Sequence, residues 1–150
     1  VIVTSSDDRK LKKARDLGAD ECVNYRDKDV AKEVRAITGK RGVDVVVDYI
    51  GKATWETSLK SLRRGGRLVT CGATSGFDPK EDLRHVFFRQ LTLYGSTMGT
   101  PQEFSDMMHA FFEGKLKPVI DRVLTPDRIS EGHRAIEAGE VFGKIVVAIP

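Results

Sequence analysis

The sequence predicts an α/β fold built on a doubly wound parallel sheet. Short β-branched runs alternate with amphipathic helical stretches along all 150 residues, the pattern of βαβ units. The run VDVVVDYIG at 43–51 has a continuous valine centre, which suits a strand covered on both faces, as in parallel sheets. Most of the expected strands also end in a small or polar residue or run into glycine.

The elements follow in order. Val1, Ile2 and Val3 open a strand over 1–4. Residues 8–17 read as a helix with Ser6 or Asp7 as its N-cap, Gly18 as its stop, and Leu11, Ala14 and Leu17 in one apolar stripe. A short strand covers 21–24. A second helix covers 28–38, with Val30, Val34 and Ile37 facing inward and Gly39 behind it. After the strand at 43–51, a third helix at 54–62 is closed by Gly65 and Gly66, and RLVTCG at 67–72 is a strand. Residues 73–80 form a loop rich in Gly, Ser and Pro. The second half continues with a helix at 83–90, a strand at 91–96 and a helix at 101–113 whose Pro101 fits the first turn. A short strand at 122–126, a helix at 129–138 and a strand at 143–150 complete the chain.

The length is that of one domain, 1–150, large enough to bury a core. A formal charge of +3 is mild, and basic residues alternate with acidic ones, which argues for solvated helix faces and against a nucleic-acid partner. No apolar run is long enough to span a bilayer, and a cytoplasmic location is expected. Cys22 and Cys71 lie far apart in strands and read as buried free thiols of a reducing compartment. His85, His109 and His133 fall on separate helices without metal-ligand spacing, so no metal site and no catalytic residue is expected in this chain. Trp55 and the Phe111–Phe112 pair read as core or interface packing.

Open parallel sheets bind ligands outside the carboxyl ends of their strands. That rule selects segments 4–6, 24–26, 48–51 and 71–76 as the rim of a cleft. In a dinucleotide-binding unit, an acidic residue at one strand tip grips the adenosine ribose, whereas neutral and basic residues admit a 2′-phosphate. Here the first strand ends in Thr4, Ser5 and Ser6, Lys10 lies one turn into the next helix, and Tyr25 and Arg26 follow the adjacent strand. Hydroxyls with a cation describe a phosphate pocket. A Ser N-cap followed by a solvated Lys describes the same residues equally well. Asp7 and Asp8 oppose phosphate unless they face away or serve the helix N-terminus. At the next strand tip, Asp48 beside Gly51 reads as ordering a turn rather than acting as a base.

The run TSSDDRKLKKARDLGADECVNYRDKD, with GVDVVVDYIG, LRRGGRLVTCGATSG, LTLYGSTMG and FGKIVVAIP, resembles the medium-chain dehydrogenase/reductase superfamily of zinc-containing alcohol dehydrogenases and quinone oxidoreductases, over essentially the whole chain. The resemblance implies a Rossmann-like nucleotide-binding domain whose first strand, glycine-rich phosphate turn and first helix, together with the catalytic domain, are absent. No G-x-G-x-x-G occurs in the sequence. The strand at Val1 then corresponds to the second of such a fold. Without their shared neighbour, the strands at 1–4 and 43–48 are expected to pair directly, to take another strand, or to expose edges that drive association.

The resemblance also implies roles. Ser5, with Ser6 beside it, stands where NAD-selecting relatives carry an acid, and Lys10 and Tyr25 match residues near the adenosine phosphate of NADPH-using quinone reductases. Asp48 to Gly51 match the strand end that passes under the cofactor. Cys71, Gly72 and Ala73 match backbone facing the nicotinamide, Ser96 to Met98 a second nicotinamide contact, and Lys144 a basic residue near the pyrophosphate. The expected cofactor is NADP(H), with NAD(H) as the alternative, and any zinc is expected on the absent catalytic domain. The implied function is hydride transfer to or from a carbonyl, alcohol, quinone or enone in the intact protein, and the isolated chain is expected to be inactive. A non-catalytic remnant serving assembly or nucleotide binding is the rival. A small-molecule substrate and a homo-oligomer, dimer or tetramer, are the expected partners.

Overall fold

A computed structural model describes residues 1–149; Pro150, the last residue of the predicted final strand, lies outside the described residues. The chain divides into two compact units, 1–98 and 99–150.

In the first unit, β1 (Ile2–Ser5) pairs in parallel with β2 (Glu21–Asn24) through α1 (Asp8–Asp16). Asp7 caps α1, its carboxylate accepting the Arg9 backbone N–H at 2.8 Å. Leu11 and Ala14 are buried, but the helix stops at Asp16 and leaves Leu17 exposed. α2 (Val30–Ile37) is capped by Asp29 and buries Val34, while Ile37 at its end stays exposed. A second sheet holds β3 (Val43–Asp48), β4 (Leu62–Thr70) and β5 (Thr92–Gly95), all parallel and in that order. α3 (Trp55–Ser61) and α4 (Leu83–Arg89) make the crossovers. The core lies here, where Leu59, Leu62, Leu68 and Leu91 pack with Val43, Val46, Trp55 and Val86.

Several expectations change. β1 and β3 do not pair with one another, so the unit holds two separate sheets and each of these strands keeps one edge without a described strand partner. α2 packs against α3, and the Arg35 guanidinium donates to the Lys60 carbonyl at 3.2 Å, which ties the halves through helices. β3 is not covered on both faces by the described residues, for Val45 and Val47 are exposed. α3 ends at Ser61 and passes straight into β4, so Gly65 and Gly66 lie within the strand's span; the β3–β4 register slips between Val43 and Val45 to accommodate them. Cys71 is exposed and Cys22 half-buried, both free. The Cys22 thiol donates to the Leu11 carbonyl at 3.4 Å.

In the second unit, Thr100 and Glu103 form a capping box at α5 (Pro101–Phe112). β6 (Ile120–Leu124) and β7 (Lys144–Val147) pair in parallel through a 3-10 turn (Pro126–Arg128) and α6 (Ile129–Glu137). Phe111 and Phe112 are exposed in an edge-to-face pair and belong to no described core.

Candidate functional site

The first cluster of predicted residues stands at the ends of β1 and β2. Ser5 is in register with Asn24, and the Tyr25 amide donates to the Ser5 carbonyl at 3.1 Å. Parallel pairing therefore sets Ser5 and Tyr25 on one edge. The Ser5 hydroxyl accepts the Asp7 amide at 3.3 Å. Ser6 and Lys10 are half-buried, and Tyr25 is exposed. Both neighbouring acids are occupied. Asp7 accepts the Arg9 amide as an N-cap and also takes the Arg9 guanidinium at 2.9 Å; this hydrogen bonding to Arg9 holds its carboxyl at about 2. Asp8 accepts the Asn24 side-chain amide at 2.8 Å.

The second cluster forms at the ends of β3 and β4. Asp48 is 4% exposed. Its Oδ1 accepts the amides of Ile50 and Gly51, each at 2.9 Å, and Oδ2 accepts the hydroxyls of Thr54 at 2.8 Å and Ser58 at 2.6 Å. Burial by itself pushes this carboxyl up, but the hydrogen bonds from Ser58, Gly51, Thr54 and Ile50 outweigh it and hold it below its ordinary value. The Asp48 group is thus consumed in building the turn, as its position beside Gly51 predicts. Gly51 has φ +88°, and a Cβ there would stand 2.6 Å from the Gly76 carbonyl oxygen. Gly72 passes so close to β3 that a Cβ would meet the Tyr49 carbonyl oxygen at 2.9 Å. The Cys71 amide donates to the Asp48 carbonyl at 3.2 Å. Gly51, Cys71, Gly72 and Ala73 are accordingly brought together.

The remaining residues are placed separately. The Ser96 amide donates to the Thr70 carbonyl at 2.9 Å, which sets Ser96 just beyond the end of β5 beside β4. Met98 has φ +51° and is almost wholly exposed. Lys144 opens β7 in the second unit and is exposed. A groove of roughly 490 Å³ between α1 and β2, lined by Leu11, Arg15, Cys22 and Lys28 among others, includes none of Ser5, Lys10 or Tyr25.

Sequence reasoning missed Thr54 and Ser58 at the second cluster, and it placed Ser75 on the 71–76 rim without singling it out. Thr54 and Ser58 carry a signal, two hydroxyls four residues apart after an aspartate. The role of Ser75 within that rim carries no signal, because its partners Ile50 and Ala53 are distant in sequence and are met only through the tertiary fold.

Two tests of fit bear on what the site can hold. Among the described residues no group of three or more His, Cys, Asp or Glu side chains converges, so they offer zinc no ligand set. A dinucleotide fits better. The ends of β3 and β4 come close to each other because Gly51 and Gly72 carry no side chain, and the end of β1 offers hydroxyls whose neighbouring carboxylates are engaged. No helix among the described residues is long and apolar enough to cross a membrane.

Residues 1–113 match the family described as zinc-binding dehydrogenase. A 2-haloacrylate reductase from a Burkholderia species is 47% identical over 157 residues, covering 98% of this chain and 47% of the reductase. A crystal structure titled NAD-dependent alcohol dehydrogenase superposes with a TM-score of 0.90 at 43% identity, covering 100% of this chain and 44% of that one. A quinone oxidoreductase from Pseudomonas syringae pv. Tomato DC3000 superposes with a TM-score of 0.82 at 27% identity, over 99% of this chain and 48% of that one. The chain spans less than half the length of each of these relatives. These solved neighbours are Rossmann-like dehydrogenases, and the parallel α/β arrangement of this chain follows theirs. On its sequence match and its fold together, the chain belongs to the zinc-binding dehydrogenase family of oxidoreductases.

Proposed function

We propose that the chain is the cofactor-binding part of an NADP(H)-dependent oxidoreductase that transfers hydride to or from a carbonyl, alcohol, quinone or enone. When bound, the nicotinamide supplies or accepts the hydride, and this chain's residues hold and orient it. One observation carries the cofactor choice: β1 ends on Ser5, and Asp7 and Asp8, the acids beside it, are engaged by Arg9 and Asn24. In this reading the Ser5 hydroxyl, the hydroxyl of Tyr25 and the cation of Lys10 surround the 2′-phosphate, with Ser6 beside them. The glycine-lined platform of Gly51, Cys71, Gly72 and Ala73 receives the nicotinamide half, and Ser96 and Met98 supply a further contact.

Relatives named for reduction of 2-haloacrylate and of quinones favour an activated double bond or quinone as substrate. NAD(H) is the second reading, supported by the relative titled NAD-dependent at 43% identity. The intact protein is a homo-oligomer in this proposal, with the exposed edge of β5 as the pairing strand, and the free thiols fit a reducing cytoplasm.

The test compares kcat/KM for NADPH and NADH in the intact protein, in Lys10→Ala and in Ser5→Asp. A hydrogen bond to a charged group contributes roughly 1.5–3 kcal/mol, so Lys10→Ala is expected to cost NADPH about tenfold or more while sparing NADH. Ser5→Asp should move preference toward NADH. A wild type that prefers NADH, or a Lys10→Ala variant that weakens both cofactors alike, would refute the proposal.

A further inference from the structure

The loop after β4 is pinned to the turn after β3 at its start and at its far end, with a longer bond from the Thr74 hydroxyl to the Tyr49 carbonyl, 3.5 Å, between them. At its start, the Cys71 amide donates to the Asp48 carbonyl. At its far end the pin is Ser75, whose amide and hydroxyl both donate to the Ile50 carbonyl, at 2.8 and 2.7 Å. The same hydroxyl oxygen accepts the Ala53 amide at 2.9 Å. One small side chain thereby spans the carbonyl of Ile50 and the amide of Ala53, on either side of Gly51. Backbone bonds support it, since the Lys52 amide donates to the Gly76 carbonyl at 3.0 Å and the Gly76 amide to the Ala73 carbonyl at 3.0 Å. Between the pins the segment Cys71–Gly72–Ala73 lies along the turn after β3, with Gly72 close beside the Tyr49 carbonyl and Ala73 beside Gly51.

We propose that the Ser75 hydroxyl is a positioning residue that fixes the Cys71–Ala73 backbone for the nicotinamide half of a bound dinucleotide. The inference rests on the cofactor reading above and deepens it. In a parallel sheet of this kind, one mononucleotide lies over each half. The β1–β2 tips carry the adenosine-side residues, which leaves the β3–β4 tips for the other half. Ser75 is exposed and contributes nothing to the core, so its hydroxyl is not needed to bury apolar surface. Removing it leaves the Ser75 and Lys52 backbone bonds in place. The loop then stays folded but gains play where the ligand sits.

The experiment uses the intact protein as wild type, Ser75→Ala and Ser75→Thr. NADPH binding is read from nicotinamide fluorescence, binding of adenosine 2′,5′-bisphosphate by calorimetry, and folding by Tm. Loss of two neutral hydrogen bonds is expected to weaken NADPH roughly threefold to tenfold in Ser75→Ala. Adenosine 2′,5′-bisphosphate, which has no nicotinamide, should bind as to wild type. Ser75→Thr restores the hydroxyl and should restore NADPH. Unchanged NADPH binding in Ser75→Ala overturns the inference and leaves the cofactor reading standing. So does an equal loss of both ligands with a lowered Tm, which marks a merely structural role, and so does failure of Ser75→Thr to rescue. A wild type that binds neither ligand removes the cofactor reading and this inference with it.

Discussion

Asp48 is a carboxylate buried among four donors, and its energetics run opposite to those of a catalytic acid. Truncation by Asp48→Ala strands two amides and two hydroxyls, and the expected loss is roughly 2–4 kcal/mol of stability, read by denaturant unfolding of the intact protein. Asp48→Asn should cost less, because Oδ1 can still accept the amides and the hydroxyl of Thr54 can turn to the Gly51 carbonyl, 3.3 Å away. The pH dependence has a definite sign. The folded carboxyl lies below its ordinary value, so its contribution is complete above the unfolded pKa of about 3.9 and is lost as pH falls through the lower folded pKa. The stability gap between wild type and Asp48→Asn should be constant near neutrality and shrink in acid; a gap that widens in acid would contradict this assignment. The position was legible because aspartate at a strand end beside glycine reads as a turn. The direction of Asp7 and Asp8 was not legible, since a carboxylate two residues from a strand tip can face either the ligand or the helix N-terminus. The backbone around Arg9 and the reach of Asn24 decide it.

Among the elements, alternation and apolar stripes identified the helices and strands of both units, with ends shifted by a few residues. The boundary after α3 was the exception. Arg63, Arg64, Gly65 and Gly66 have little strand propensity, and only pairing of Leu62 with Val43 draws them into β4. The covering of β3 was misread for a related reason. A valine run reports that two faces are apolar, but not that a described element lies on each, and Val45 and Val47 lie bare. The turn joining β3 to α3 depends on Gly51, where φ is +88° and the Gly76 carbonyl would crowd any Cβ. Gly51→Ala is expected to cost at least about 1–3 kcal/mol and to lower Tm by several degrees. An unchanged Tm would show that the two loops separate freely.

At the scale of the whole molecule, β1, β3 and β5 all offer unpaired edges among the described residues, and Val45, Val47, Phe87 and Phe88 add exposed apolar surface. The 150-residue chain by itself is expected to self-associate, as sedimentation over a concentration series would reveal, and to give no turnover with NADPH or NADH against quinones, enones or aldehydes. A compact monomer at high concentration would count against the first expectation, and activity above a denatured control against the second. The sequence could not say how β1 and β3 would resolve their edges, because strand adjacency is a long-range property that no local pattern encodes. The separation of the two sheets has a further consequence. With no strand ladder crossing between them, the β1–α1–β2 lobe is held to the Leu59–Leu62–Leu68–Leu91 core chiefly through α2 against α3. Such a lobe can open without the core opening. Amide protons of Val3 and Val23 should therefore exchange with deuterium through a local fluctuation, while those of Leu68 and Val69 wait for global unfolding, and a ligand bridging the two lobes should slow the first pair far more than the second.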